Sequence, residues 1–415
     1  MTPIRERWLM LTLAGIQFTH ILDFMVMMPL GPQFTKVFSI SDAQFGALVS
    51  AYTFAAGVSG LLAATYLDRF DRKRLLLVLY CAFTTATMAC ALSETYVQFM
   101  GARIAAGLFG GVLSALSQTI IADVIPFERR GRAMGIVMSS FSVSTVAGVP
   151  IGLYLAANLS WHAPFWLVVG LSLCVIAVAC VTVPKIDAHL HQPERSSVVG
   201  GILETVKETN HLWAFLFTGL SVMTGFMVIP YITIYMEANL GVSGDDIVLV
   251  YFVGGLATLV SARVIGVLAD KRGKVWIYQR LNWVVWLPLF AITLLPNGSP
   301  LWLIAVVYVL FFVIVSGRMI PSSAIMASAA NPKRRGTFMA LSGASQSLGM
   351  ALGAVAGGLL ISRDANGLVV GYWLTAAAGF ALALLSLAVL KKVSVHANTP
   401  STTVVSPQFP GPESG

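Results

Sequence analysis

Apolar stretches of about twenty residues or more, divided by short charged clusters, fill most of this 415-residue chain. An α-helix rises 1.5 Å per residue and a bilayer's hydrocarbon core is ~30 Å thick, so each stretch can cross a membrane as helix. The pattern predicts twelve spans, near 8–34, 43–67, 75–93, 97–123, 133–157, 164–184, 211–237, 246–269, 276–296, 300–327, 337–361 and 368–390. The first begins at Trp8, behind Arg5 and Arg7. It runs well past the length of a signal-peptide core and ends without a small-residue cleavage site, so it reads as a retained span.

Loop charge sets the orientation. With both termini cytoplasmic, 21 of the 26 Lys and Arg residues fall in cytoplasmic segments; Lys36 and Arg363 lie on the opposite face, and Arg103, Arg263 and Arg318 lie within spans. This is the positive-inside bias, and it predicts a multi-pass protein of the cell (inner) membrane. Only 11% of residues are charged and mean hydropathy is +0.81, whereas a soluble domain carries roughly 25% charged residues. The net charge of +8 would suit a nucleic-acid binder, but the basic residues sit in short loops, so nucleic acid is not an expected partner. Cys81, Cys90, Cys174 and Cys180 lie inside apolar stretches without metal-ligand or disulfide spacing and read as small packing residues.

Residues 185–210 form the longest internal polar segment, with Pro193, His189, His191 and mixed charges. They read as a cytoplasmic linker between an N-terminal six-helix bundle, 1–184, and a C-terminal one, 211–392. The Pro- and Ser-rich tail, 393–415, reads as disordered. The halves echo each other. Asp68 and Asp270 open charged loops after spans two and eight, 202 positions apart; Gly131 and Gly336 close matching basic clusters at 205; Pro29 and Pro230 match at 201. The expected fold class is therefore an all-α integral membrane protein of twelve transmembrane helices in two pseudo-symmetric six-helix bundles, and transporters with such repeats bind substrate between them.

Three motifs carry a family resemblance. Leu67-Asp68-Arg69-Phe70-Asp71-Arg72-Lys73-Arg74 and, closer to the pattern, Gly266-Val267-Leu268-Ala269-Asp270-Lys271-Arg272-Gly273-Lys274 resemble the loop signature G-x-L-a-D-r-x-G-r-k of the major facilitator superfamily. In the first copy Ala64 and Asp71 replace glycines, and Asp71 is a candidate competitor for Arg72. Arg103 to Gly111 resembles the helix-four motif R-x-x-q-G, with Ala106 at its polar position. Gly148-Val149-Pro150-Ile151-Gly152 is similar to the span-five Gly-Pro motif of the drug/proton antiporter branch. The resemblance implies the major facilitator fold and alternating access. It also implies that Arg103 sits beside a proton carrier, and that Asp68, Arg72 and Asp123, with Asp270 and Arg272 in the second copy, form a latch at the cytoplasmic ends of the helices.

Asp23 is the candidate for that carrier, the alternatives being an acid that only pins helices together or a static ion pair. It lies about 15 residues into the first span, about 22 Å deep by the helix rise. An aspartate there costs roughly 2.5–3.5 kcal/mol on insertion scales, so it requires a partner or a wet cavity. Arg103, entering from the opposite face, reaches nearly the same depth. His20, one turn before Asp23, is a candidate for the same network or a packing histidine. Arg318, between Gly317 and Pro321, is a candidate for an anionic substrate or an internal partner, whereas Arg263 can snorkel. Gly148 and Gly152, like Gly349, Gly353 and Gly357, allow close helix approach; Pro150 removes a helix hydrogen bond and marks a hinge or seal. Met25, Met27 and Met28 either line an adaptable apolar cavity or face lipid.

No paired nucleophile and base, phosphate loop or metal-spaced cluster stands out, so neither an enzyme nor a cofactor is expected. The leading expectation is a secondary transporter, working as a monomer, that exports small apolar or amphipathic, drug-like molecules in exchange for protons. A sugar or other metabolite exporter of the same fold is the alternative. A non-transporting membrane sensor or scaffold is the reading from a different class.

Overall fold

The computed structural model describes residues 3–187, 198–330 and 335–394. It is nearly all helical, and eleven of its helical segments are long and apolar enough to cross a membrane. The N-terminal half contains α1 (Pro3–Met27), α2 (Gly31–Val37), α3 (Asp42–Tyr66), α4 (Arg72–Ala91), α5 (Tyr96–Val124), α6 (Phe127–Val143), α7 (Val149–Asn158) and α8 (Ala163–Thr182). After α9 (Val198–Lys207), the C-terminal half contains α10 (Thr209–Phe226), α11 (Ile232–Ala238), α12 (Gly244–Arg272), α13 (Lys274–Val284), α14 (Trp286–Thr293), α15 (Leu301–Gly317), α16 (Met319–Ala329), α17 (Arg335–Leu360) and α18 (Tyr372–Leu390).

Local chemistry explains several boundaries. Ser41 and Gln44 form a reciprocal capping box at the start of α3, and Thr95 with Gln98 does the same for α5. Pro29 and Pro230 each interrupt their helix with a 3-10 turn, at Met28–Leu30 and Ile229–Tyr231. The ninth expected span, 276–296, is the stretch that falls short of the eleven. It is divided into α13 and α14 at Val285, and Gln279, Arg280 and Asn282 lower its hydropathy.

Two features depart from the expected pattern. Of the predicted linker 185–210, residues 188–197 lie outside the described part, but 198–207 are helical, with Ile202, Leu203 and Val206 recurring at helical spacing. A two-stranded hairpin, β1 (Ser362–Arg363) with β2 (Val369–Val370), also breaks the all-α expectation. Its turn is fixed by the Asp364 carboxylate, which accepts from the Asn366 and Leu368 amides at 2.9 and 2.8 Å, and by Gly367 at φ +80°. Of the predicted tail, only the first two residues, Val393 and Ser394, fall within the described part.

Packing differs between the two ends of the molecule. At one end a single hydrophobic core draws on both halves of the chain, joining Phe34, Phe45 and Val149 to Tyr231, Ile234 and Tyr372. At the other end the cores are separate. Leu9, Leu13, Tyr80 and Ile120 belong to one, Phe217, Tyr278, Phe338 and Leu390 to another. Polar contacts reinforce the shared end. Arg363 donates to both Asp42 oxygens at 2.9 and 2.8 Å, and Lys36 pairs with Glu237. Hydrogen bonding to Asp42 holds the Arg363 guanidinium above its ordinary pKa.

Two seams of small residues join the halves. Along the first, α3 lies antiparallel to α17: a Cβ on Gly46 would come within 2.7 Å of the Ala354 carbonyl oxygen, and one on Gly57 within 2.8 Å of Ser347. Along the second, a Cβ on Gly255 of α12 would lie 3.0 Å from the Thr145 carbonyl oxygen.

Candidate functional site

Four helices converge on Asp23. Arg103 of α5 donates from Nη1 to Asp23 Oδ2 at 2.8 Å, and the Thr87 hydroxyl of α4 donates to Oδ1 at 3.3 Å. Asp23 and Arg103 are both 0% exposed, so each ion's counter-charge is the other. Tyr52 of α3 lies beneath the guanidinium, with Arg103 Cζ 4.3 Å from its ring centroid, a cation–π distance.

Glycines set this geometry. A Cβ on Gly107 would stand 2.4 Å from the Tyr52 carbonyl oxygen, and one on Gly111 2.3 Å from that of Ala56. The bare backbone of α5 therefore seats directly on α3, one turn past Arg103. A Cβ on Gly110 would lie 2.5 Å from His20 Cδ2 and 2.9 Å from the Tyr52 hydroxyl, so those two rings occupy the space a side chain would fill.

Hydrogen-bonding capacity at the site is unspent. Arg103 Nε and Nη2, both His20 ring nitrogens and the Tyr52 hydroxyl are buried without hydrogen-bond partners among the described residues. Each such group costs about 1–3 kcal/mol if nothing satisfies it, a demand that water or a polar ligand atom meets. Asp23 therefore has two chemically distinct forms. Ionised, it holds Arg103; protonated, it releases the guanidinium to other acceptors.

The span-five glycines build the wall behind this site. The chain leaves α6 through a π-helical turn at Ser144–Gly148, then enters α7 with Pro150, which lacks the N–H of a regular turn. Ser140 and Ser144 donate to the Ala14 and Phe18 carbonyls of α1 at 2.7 and 3.2 Å. Continuing at the same four-residue step, a Cβ on Gly148 would stand 2.8 Å from Leu22, and one on Gly152 2.5 Å from Val26. This ladder locks α1 against the bent helix, whose opposite side meets Gly255. Gly349, Gly353 and Gly357 form a comparable ladder, on the backbone of α10.

A cavity of about 60 Å³ opens between the halves beside this wall, lined by Met25, Met28 and Val149 on one side and Ile229, Tyr251 and Phe312 on the other. Met27 instead packs in the core, 1% exposed. Phe24 stacks on Tyr52 at 5.4 Å and on Phe226 at 6.1 Å, which links the Asp23 site to the C-terminal half.

The loop residues separate into two different arrangements. Arg72, 2% exposed, donates to Asp123 at 3.2 Å and to the Leu67 carbonyl. The Asp68 side chain lies outside the described part. Asp71 does not compete for Arg72. It caps α4, accepting from the Arg74 and Ile186 amides at 2.8 and 3.2 Å. In the second copy Gly273 takes φ +92°, which favours glycine, whereas Asp71 has φ −57°. There Asp270 is exposed, and Arg272 rests 5.5 Å from the Trp276 ring rather than on a carboxylate. Lys333 and Arg334 of the matching basic cluster lie outside the described residues. Arg263 is exposed, and Arg318 is buried against Tyr278, whereas the ion-pair partner of Asp23 is Arg103.

Sequence reasoning did not single out Tyr52, Thr87, Phe24 or Phe226. A tyrosine, threonine or phenylalanine inside an apolar run carries no signal of its own. The available hint was the Gly107–Gly111 spacing, which marks where another helix approaches Arg103.

A nearly all-helical chain with eleven segments long and apolar enough to cross a membrane, and a buried internal ion pair, defines a polytopic membrane protein. The chain belongs to the major facilitator superfamily, whose family profile matches residues 13–279 and again 214–408. It is 24% identical over 363 residues to the uncharacterized MFS-type transporter YceJ of Bacillus subtilis (86% of this chain, 90% of that one). It is 21% identical over 272 residues to a probable sugar efflux transporter of Helicobacter pylori (61% and 68%). For three other relatives the match spans only 35%, 20% and 20% of their length. The fold is similar to the crystal structure of a bacterial homologue of the human lysosomal transporter Spinster, in an inward-facing and unoccupied conformation. The TM-score is 0.74 at 15% identity, covering 96% of this chain and 100% of that one. These relatives and the structural neighbour are themselves named as transporters or transporter homologues.

Proposed function

We propose that this protein is a proton-coupled exporter of small apolar or amphipathic molecules, working as a monomer in the cell (inner) membrane with both termini cytoplasmic. In this reading α13 with α14 is the ninth of twelve spans, and the two halves of the chain are six-helix bundles that rock about the cavity between them. Orientation by loop charge makes the shared-core end the outer one, so the conformation described is inward-facing. Asp42 with Arg363 and Lys36 with Glu237 then close the outside, while Arg72 with Asp123 belongs to the latch that forms the alternate state.

The observation that carries the reading is the fully buried Asp23–Arg103 pair with its unspent hydrogen-bonding groups. A proton on Asp23 frees Arg103, and Phe24, one residue away, stacks directly on Phe226 of the other half. Protonation thereby biases the packing between the halves, which is the requirement for coupling. The apolar lining of Met25, Met28, Ile229 and Phe312 favours apolar or amphipathic cargo. Likeness to a sugar efflux transporter supports sugar export as the second reading.

Proteoliposomes with an imposed pH gradient test both. Wild-type protein should accumulate a lipophilic dye against its gradient, and Asp23→Asn should retain binding but lose uphill movement. Undiminished uphill transport by Asp23→Asn would refute proton coupling through this residue. Saturable sugar counterflow without dye movement would select the second reading. No counterflow of any compound, with tight binding of a soluble partner, would select a sensor.

A further inference from the structure

The C-terminal half buries a cation for which the described residues supply no carboxylate. Arg318, 1% exposed, stands at the joint between α15 and α16, where Pro321 lacks the N–H that would bond the Gly317 carbonyl. Its guanidinium offers five donors. Nη2 reaches the Tyr278 hydroxyl at 3.4 Å, Nε has no partner among the described residues, and Cζ lies 5.7 Å from the Tyr278 ring centroid. A network of buried hydroxyls continues from there: the Tyr278 hydroxyl donates to Ser221 at 3.0 Å and meets Ser386 at 2.9 Å, Ser386 donates to the Ala383 carbonyl at 2.7 Å, and the Oδ1 of buried Asn282, one turn along α13, is unpartnered.

The chain itself shows that such a place does not need an arginine. Tyr96–Val124 and Leu301–Ala329 are both 29-residue membrane segments. Seventeen residues after the first residue of each stands Leu113 in one and Arg318 in the other. Leu113, 0% exposed, shares a core with Tyr80, whose hydroxyl bonds Thr19 at 2.8 Å, much as Tyr278 bonds Ser221. A buried tyrosine–hydroxyl pair beside an aliphatic side chain is thus a stable arrangement already used here. An arginine stays charged in proteins and cannot shed the burden of burial by losing a proton. An unpaired buried ion costs several kcal/mol. Arg103 meets this cost with Asp23.

We propose that Arg318, with the Tyr278 and Ser221 hydroxyls beside it, forms an oxyanion site for the carboxylate or phosphate of an amphipathic cargo molecule. This rests on the transporter reading and narrows it: the cargo presents an anionic head to the C-terminal half and an apolar body to the Met25–Phe312 cavity. Guanidinium and hydroxyl donors are the set that recognises an oxyanion, and the site lies at the end where the two halves have separate cores.

Three probes of one shape test it: benzoate, benzyl alcohol and benzylamine, titrated against the full-length protein in nanodiscs and read by thermal melting. Benzoate should raise the melting temperature, and the alcohol and amine should not. Arg318→Leu should fold, melt at or above the wild-type temperature, and bind benzoate at least tenfold more weakly. Tyr278→Phe should weaken benzoate severalfold, which keeps the test valid if Arg318→Leu misfolds. Asp23→Asn should leave the benzoate response intact, so loss of proton coupling and loss of anion binding are read separately. Equal shifts with benzoate and benzyl alcohol, no shift with any probe, or an unchanged benzoate response in Arg318→Leu would overturn the proposal.

Discussion

Arg103 and Arg318 are the same residue type buried to the same degree in the two halves, yet their surroundings differ. Arg103 has a carboxylate at 2.8 Å and a tyrosine face at 4.3 Å. Arg318 has one tyrosine hydroxyl at 3.4 Å, without a carboxylate among the described residues. The first is an internally neutral pair that a proton can open. The second is a buried charge with no carboxylate beside it among the described residues. Burial by itself therefore does not define a buried arginine's work; the presence of a titratable partner does.

Removing partners should expose that contrast. Asp23→Ala strands Arg103 without a counter-ion and should cost about 3–5 kcal/mol, read as a large fall in melting temperature. Arg103→Leu should cost clearly less, because a lone Asp23 takes up a proton and becomes neutral. Equal costs would show that the pair is not the dominant electrostatic element of the site.

Next in size is Gly107→Ala, whose Cβ would meet a backbone oxygen at 2.4 Å. Overpacking against backbone should cost about 1–3 kcal/mol and displace Tyr52 from Arg103. Gly101→Ala, on the same helix with open space around it, should instead stabilise by about 0.4–1 kcal/mol. A neutral Gly107→Ala would mean that α5 does not rest on α3 as described.

Arg318→Leu should be neutral or stabilising by up to ~1 kcal/mol, because a buried unpaired charge is replaced by the residue used at Leu113. A loss of several kcal/mol would place Arg318 beside Arg103 as a paired structural ion and erase the contrast. The smallest effect belongs to Asp42→Asn. Arg363 is 38% exposed, so solvent screening limits the loss to under about 1 kcal/mol. Wild-type melting should fall with added salt, and the Asp42→Asn variant should respond less.

Much of this molecule was readable from its letters, and the reason differs by residue. Spans are legible because a bilayer imposes one length and one polarity on every crossing. Asp23 was legible because an acid that deep in an apolar helix is costly, and the depth arithmetic paired it with Arg103. Pro29 and Pro230 were legible as matching positions of the two halves, and the structure adds that each makes a 3-10 turn. Residues 274–293, expected as the ninth span, are helical but fall below the hydropathy of the other spans because Gln279, Arg280 and Asn282 sit on one short helix. Other features were not legible. Helix 198–207 hid inside a polar segment, and the hairpin at 362–370 rests on a side-chain-to-backbone turn that no apolar pattern encodes. Asp71 looked like a rival for Arg72, but two amide donors engage it elsewhere.

Sequence by itself determined the solvent, most of the approximate spans and the depth at which Asp23 and Arg103 meet in the N-terminal half. These follow from composition and helix rise, both properties of the chain taken in order. Tertiary structure alone decided that Tyr52 lies under Arg103, that one end of the molecule shares a core while the other divides, and that Arg318 faces hydroxyls instead of a carboxylate. Those are contacts between residues 40 to 321 positions apart. Such contacts depend on which helix faces meet, and the glycine seams set those meetings only once the helices have packed.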